Sequence, residues 1–199
     1  MKLYEPLPDS VTVNGRRYRL DLDFRNVMRM QEVLARDDLI PQAREFLALR
    51  CVLKRPPKNV KPVLDAVREL LFPPAKERGA ERITDFTQDA DLIRAAFRQT
   101  YGIDLFRDKL HWTEFTCLLS GLPDGSRYAD VLGIRARPMP NPTKYNAEER
   151  KWLGEAKARY ALKLDDHQAQ DSYDRGVLDL FHALMGMAHK NDDAKGSET

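Results

Sequence analysis

Cysteine and long apolar runs are both scarce in this chain of 199 residues. Only Cys51 and Cys117 occur, each inside an apolar helical pattern, which favours free buried thiols in a reducing compartment over a disulfide framework. No apolar run approaches the ~18 residues of a membrane span, and the first ten residues hold no apolar signal core. The sequence therefore predicts a cytoplasmic protein without a membrane segment.

A strong excess of charge of one sign is also missing. The formal net charge is +2, which is too balanced to indicate nucleic acid as the main partner. Two short basic clusters are the exception: Arg16, Arg17 and Arg19, and then Lys54, Arg55, Lys58 and Lys61 around a double proline. We interpret both clusters as solvated loops, and the alternative is phosphate contact by a nucleic-acid-binding regulator.

Motifs for covalent catalysis and nucleotide binding are absent from the sequence. The ten glycines are scattered, so there is no Gly-rich phosphate loop. Ser120, Ser126 and Cys117 lack the Gly-x-Ser-x-Gly surroundings of an activated nucleophile. The prediction is that the protein is not an enzyme and requires no cofactor and no metal.

Histidine is rare, and one pair of residues resembles a chemical site. His111 and Glu114 lie three residues apart on a predicted helix, with Asp108 just upstream, as an acid–base pair or part of a metal site would. A metal needs three or four ligands, and no second histidine is near. We therefore interpret Glu114 as a first-turn acid and Asp108 as the helix cap. Asp104, His111 and Glu114 are then corner and cap residues that fix how the two central helices meet. A polar group on the last predicted helix is interpreted as its solvated side: Asp179, His182 and His189.

What the sequence does contain is regular periodicity. The hydrophobic fraction of 42% fits a globular chain, which at this length buries roughly 70% of its unfolded surface. Alternating residues around Asn14-Gly15 predict a hairpin, and helical spacing follows. The predicted fold is mainly α, a compact multi-helix domain with an N-terminal β-hairpin and a C-terminal helical appendage. Its predicted parts are a helical core domain with the hairpin (1–137), a Pro-rich linker (138–146), C-terminal helices (147–190) and a disordered tail (191–199).

The spacing of apolar residues also predicts which sides of the helices are buried. The central stretch, 85–122, is predicted to hold two helices joined at Gly102, with these core residues: Ile93, Phe97, Tyr101, Trp112, Phe115 and Leu119. A helix beginning at Pro41 is predicted to bury Phe46, Leu47, Leu49 and Leu53. A charged helix after residue 146 has a narrow apolar edge, made of Trp152, Ala156 and Tyr160 with Leu153 alongside.

The last predicted helix has a wide apolar face that contains methionine. Such faces adapt well to helical partners, so we predict these partner-binding residues: Val177, Leu178, Phe181, Leu184 and Met185. The alternative is that this helix folds back to complete the core.

The central stretch resembles a known family. The run DFTQDADLIRAAFRQTYGIDL, followed by LHWTEFTCLLSGL and VLGIRARPMP, is similar to the bacteriophage gp-fifteen family of siphophage tail-module proteins. The upstream DFRNVMRMQEVLARDDL and the downstream KWLGEAKARYAL also resemble that family. The similarity runs from about residue 17 to residue 164, and residues 165–199 depart from the family pattern.

The resemblance implies a function for the phage or prophage protein. It implies a non-enzymatic tail assembly chaperone that coats the tape-measure protein and helps to recruit the tail-tube protein. Such a chaperone acts in the host bacterial cytoplasm, is absent from the mature virion, and has no established catalytic residues. Self-association is compatible with this role. The competing hypotheses are a structural virion component of the tail or head–tail connector, and the nucleic-acid-binding regulator.

Overall fold

A computed structural model of the chain describes residues 4–72 and 83–163. These residues form one two-stranded hairpin and seven helices: β1 (Ser10–Val13), β2 (Arg16–Arg19), α1 (Phe24–Leu34), α2 (Pro41–Val52), α3 (Lys61–Leu71), α4 (Ala90–Tyr101), α5 (Trp112–Ser120), α6 (Arg127–Ala136) and α7 (Ala147–Tyr160). The predicted fold class, mainly α with an N-terminal hairpin, is confirmed. The last predicted helix and the predicted tail, 191–199, lie outside the described residues.

The hairpin forms where the turn residues tolerate left-handed backbone. Asn14 and Gly15 have φ values of 50° and 74°, as a tight two-residue turn requires. The strands are antiparallel, with Val11 opposite Tyr18. Because two strands are marginally stable alone, the hairpin packs β1 against α3 and buries Val11.

Aromatic rings occupy the centre of the fold. Phe115 of α5 is fully buried and stacks on Phe24 of α1, with ring centroids 4.7 Å apart. It also stacks on Phe97 of α4 at 5.3 Å, and Trp112 lies 5.9 Å away. One side chain therefore joins three helices. The predicted core residues of the central stretch are buried, except that Tyr101 is half-buried and its hydroxyl donates to a backbone carbonyl.

The helices pack in a definite order from one end of the fold to the other. α3 packs on α2, α2 on α1, and α1 on α5. α5 then packs on α4, α4 on α6, and α6 on α7. In this order α2 and α7 stand near opposite ends, and the aromatic cluster lies between them.

A buried ion pair joins the second half of the fold. The Asp89 carboxylate, whose side chain is 1% exposed, accepts two hydrogen bonds from the Arg135 guanidinium at 2.7 and 2.8 Å. Arg135 also donates to the carbonyl oxygens of Tyr160 at 2.6 Å and Ile83 at 2.9 Å. The backbone N–H of Asp85 donates to Asp89 at 2.9 Å. These bonds fix the ends of α4, α6 and α7 relative to one another.

α7 presents different side chains to the fold than its sequence predicted. Leu153 is fully buried against the fold, whereas Trp152 is 54% exposed. Residues 138–146, which precede the helix, contain no helix or strand. The predicted apolar edge was wrong for Trp152, because α7 places the side of Leu153 toward α6 and the neighbouring side toward solvent.

Replacing Asp89 with alanine is expected to lower the free energy of unfolding by about 3–5 kcal/mol, because the Arg135 guanidinium then stays buried without its carboxylate. Urea unfolding followed by circular dichroism measures the change. The control is Asp124→Ala at an exposed position, for which a change within about 0.5 kcal/mol is expected. Equal effects of the two variants would contradict a central role for the pair.

Candidate interaction surface

His111 has a structural role in which both ring nitrogens are used. Its Nδ1 accepts a hydrogen bond from the Thr113 N–H at 3.1 Å, and the Glu114 carboxylate accepts from the His111 backbone N–H at 3.0 Å. This is a reciprocal capping box at the start of α5. Because Nδ1 accepts, Nε2 carries the proton and donates to the Pro8 carbonyl at 3.1 Å. The Glu114 carboxylate bonds to the backbone rather than to the imidazole, so no acid–base pair is formed.

Asp108 does not cap α5, and that prediction was wrong. Its carboxylate accepts from the Asp104 N–H at 2.8 Å, and the Asp104 carboxylate accepts from the Phe106 N–H at 3.1 Å. The two acids therefore close the turn between α4 and α5. The cap position falls three residues later, at His111, because the backbone is held there by a bridge to Asp23 of the N-terminal segment.

The other candidate nucleophiles also have local structural roles. Ser126 caps α6 by accepting from the Ala129 N–H at 3.2 Å, and Ser120 donates to the Cys117 carbonyl at 2.8 Å.

Among the described residues no group of three or more His, Cys, Asp or Glu side chains is placed to hold a metal ion. Within the same ranges, no helix is long and apolar enough to cross a membrane. Asp179, His182 and His189 lie outside the described residues.

The outward side of α2 carries apolar residues that were predicted to be buried. Phe46 and Leu47 are each 39% exposed, and Ile40 at the start of the helix is 68% exposed. The predicted burial of Leu49 and Leu53 is confirmed, and Ala48 and Val52 complete the buried side. At 3.6 residues per turn the two sets lie on opposite sides of the helix, so periodicity predicts two apolar sides and cannot choose between them. We call Ile40, Phe46 and Leu47 the α2 outer surface.

Basic side chains that form no salt bridge with a described residue follow this surface. Arg50 is exposed in the last turn of α2, and Lys54, Arg55 and Lys58 are exposed in the connection to α3. No carboxylate of the described residues forms a salt bridge with any of these four. We call Lys54, Arg55 and Lys58 the basic turn. Lys61 differs, because its ammonium lies 3.9 Å from the Glu45 carboxylate.

The basic cluster of the hairpin is partly paired, because one carboxylate lies beside two of its three arginines. Arg17 and Arg19 lie 3.2 and 3.5 Å from the carboxylate of Asp9. A hydrogen bond from Ser10, and after it these two arginines, hold the pKa of the Asp9 carboxyl below its usual range. Arg16 stacks over the Tyr18 ring at 5.3 Å. Of the two clusters predicted from the sequence, the one after α2 therefore presents more unpaired charge.

Comparison with known proteins is consistent with the phage resemblance. Residues 3–162 match the model of the family described as Bacteriophage Gp15 protein. The chain belongs to this family. Membership suggests a structural or head–tail module protein of a phage. No curated protein and no solved structure matches the chain.

The match includes the α2 outer surface and ends before the predicted partner-binding residues. Those residues, Val177, Leu178, Phe181, Leu184 and Met185, also lie outside the described part of the chain. Sequence reasoning missed the α2 outer surface because it assigned Phe46 and Leu47 to the core. The sequence signal for this surface was Ile40 just before Pro41, together with apolar residues on both sides of one short helix.

The prediction that both thiols are buried was wrong, because Cys51 is only half-buried and Cys117 is exposed.

Cys51 of this Gp15-family protein is expected to react with iodoacetamide more slowly than exposed Cys117 near pH 8. Burial raises the pKa of the Cys51 thiol, so its thiolate fraction at that pH is smaller than that of a free cysteine with pKa ~8.5. The rate should therefore continue to rise above pH 8.5. Alkylation of the single-cysteine variants C117S and C51S, followed by mass spectrometry, measures each rate separately. Equal rates, or a faster Cys51, would contradict the described environment.

Proposed function

We propose that this protein is a phage tail assembly chaperone that binds the tape-measure protein during tail morphogenesis. The observation that carries the proposal is the family match over residues 3–162, because it covers most of the chain and concerns phage proteins. The exposed apolar residues of α2 support it, since a chaperone needs surface that can contact another apolar helix.

The physical task of such a chaperone is to cover apolar surface before assembly. A long tape-measure helix that is not yet enclosed by the tail tube exposes apolar residues and aggregates. Helix-in-groove packing covers those residues reversibly, using contacts at helical spacing. We propose that the partner-binding residues are Val177, Leu178, Phe181, Leu184 and Met185, whose spacing in the sequence matches one helical face.

The proposal includes a place of action and a set of partners. The chaperone acts in the host bacterial cytoplasm, without enzymatic activity, and leaves the tail before the virion is complete. The tail-tube protein is a second partner, recruited to the covered tape measure. Surface charges of both signs keep such a complex soluble.

A structural virion component of the tail or head–tail connector is the second candidate. It is favoured by the family, which suggests a structural or head–tail module protein of a phage. Mass spectrometry of purified particles separates the two, because a connector subunit is present in them and a chaperone is not. The nucleic-acid-binding regulator would require salt-dependent DNA or RNA binding that is lost when Lys54, Arg55, Lys58 and Lys61 become alanine.

Co-expression with the tape-measure protein of the same phage is expected to keep that protein in the soluble fraction after centrifugation. The double variant Leu178→Asp, Phe181→Asp should abolish most of this effect, because two carboxylates in an apolar contact weaken binding by roughly tenfold or more each. The amount of soluble tape-measure protein, measured by quantitative immunoblotting, reports the result.

The matched control is His182→Asp, which adds the same carboxylate on the predicted polar side and should preserve solubility of the partner. Two outcomes would contradict the proposal. One is a tape-measure protein that precipitates to the same extent with and without this chain, and the other is an equal loss in the control and in the double variant.

A further inference from the structure

The α2 outer surface and the basic turn together form one surface with a direction. Ile40 lies at the N-terminal end of α2, and Phe46 and Leu47 lie near its middle. Arg50 and then the basic turn follow at the C-terminal end. Along α2 the surface therefore changes from apolar to positively charged.

Charge is separated along this chain, although the total is small. Residues 164–199 contain eight acidic and three basic side chains, so the net charge of +2 for the whole chain leaves +7 on residues 1–163. Four of the acids come before the apolar residues, at positions Asp165, Asp166, Asp171 and Asp174, and Asp179 lies among the apolar residues. This segment therefore changes in sequence from negatively charged to apolar.

The two directions are complementary when the segment runs antiparallel to α2. The aspartates then lie beside Arg50 and the basic turn, and the apolar residues from Val177 onward lie beside Phe46, Leu47 and Ile40. Opposite charges fix the orientation of such a contact, and the apolar residues supply most of its free energy. A parallel arrangement would place carboxylates on the apolar end of α2.

We propose that the segment 165–185 of a second copy of this chain binds the α2 outer surface and the basic turn. A second copy is favoured by where the described chain ends. The amide N–H of Lys163 donates to the Gln88 side chain at 2.8 Å, which holds the chain beside the start of α4. Two helices, α5 and α1, lie between α4 and α2 in the packing order, so the segment that follows Lys163 begins on the other side of these helices from the α2 of its own copy.

Exchange of the segments between two copies closes the assembly. Each copy then gives one segment and receives one, which is the two-fold arrangement that prevents open-ended growth. The free protein thereby covers two apolar surfaces at once. A tape-measure helix would compete for the same residues. The exchange between two copies itself needs no tape-measure protein.

Charge reversal in the full chain tests the proposal by sedimentation velocity. The variant Lys54→Glu, Arg55→Glu and the variant Asp171→Lys, Asp174→Lys should each self-associate at least roughly tenfold more weakly than the natural chain at low salt. An equimolar mixture of the two variants should recover dimers, since reversed segments then meet reversed surfaces and natural segments meet natural ones. Leu47→Glu should weaken association to a similar extent at both low and high salt, and Asp124→Lys serves as the control.

Three results would overturn the proposal. The first is a natural chain that remains monomeric, which would include binding of the segment to its own copy. The second is self-association that none of the reversals changes. A Lys54, Arg55 variant that loses DNA binding but still self-associates belongs to this result. The third is a mixture that fails to recover. Circular dichroism verifies that each variant is folded, and no tape-measure protein is present, so failure here is distinguishable from failure of the chaperone role.

Discussion

The buried pair of Asp89 and Arg135 determines how the second half of the fold is assembled. A carboxylate and a guanidinium removed from water are stable only when their hydrogen-bonding groups are satisfied. Here Arg135 fills that requirement with Asp89 and with two backbone carbonyls from segments far apart in sequence. The positions of α4, α6 and α7 are therefore coupled, and the chain reaches Lys163 at a fixed point beside α4. Residues 164–199 therefore continue from a point beside the start of α4.

Local features of the fold could be predicted from the sequence, because they depend on neighbouring residues. Asn14-Gly15 specifies the hairpin turn, Asp23 caps α1, and Gly102 ends α4 in the left-handed conformation. The Asp89–Arg135 pair could not be predicted, since the two residues are 46 positions apart and each resembles an ordinary surface charge. Asp104, His111 and Glu114 were predicted as corner and cap residues, and this is confirmed. The N-cap itself was assigned to Asp108, because imidazole is an unusual capping group and the bridge that holds His111 in place comes from the N-terminal segment.

The error on α2 is itself informative about the candidate surface. The helical spacing gives α2 two apolar sides, and its buried residues, Ala48, Leu49 and Val52, all lie on one of them. An apolar residue on the second side adds little to the stability of the monomer. Exposed Phe46, Leu47 and Ile40 are therefore better explained by contact with another chain than by packing within this one. The residues that the sequence indicated for binding, from Val177 to Met185, lie outside the described part of the chain, whereas the α2 outer surface lies within it.

The net charge of the whole chain and the distribution of charge along it indicate different kinds of partner. A value of +2 argues against a highly charged partner for the whole chain, yet it is the sum of a basic body and an acidic C-terminal segment. Charge separated in this way cannot be seen in the composition, and its effect depends on which residues are already paired. On the hairpin Asp9 forms ion pairs with Arg17 and Arg19, whereas after α2 the basic turn has no such partner among the described residues. The unpaired charge therefore lies next to the exposed apolar side chains, and that adjacency favours an amphipathic acidic helix over a nucleic acid, because phosphate contacts alone would leave Phe46 and Leu47 exposed to water.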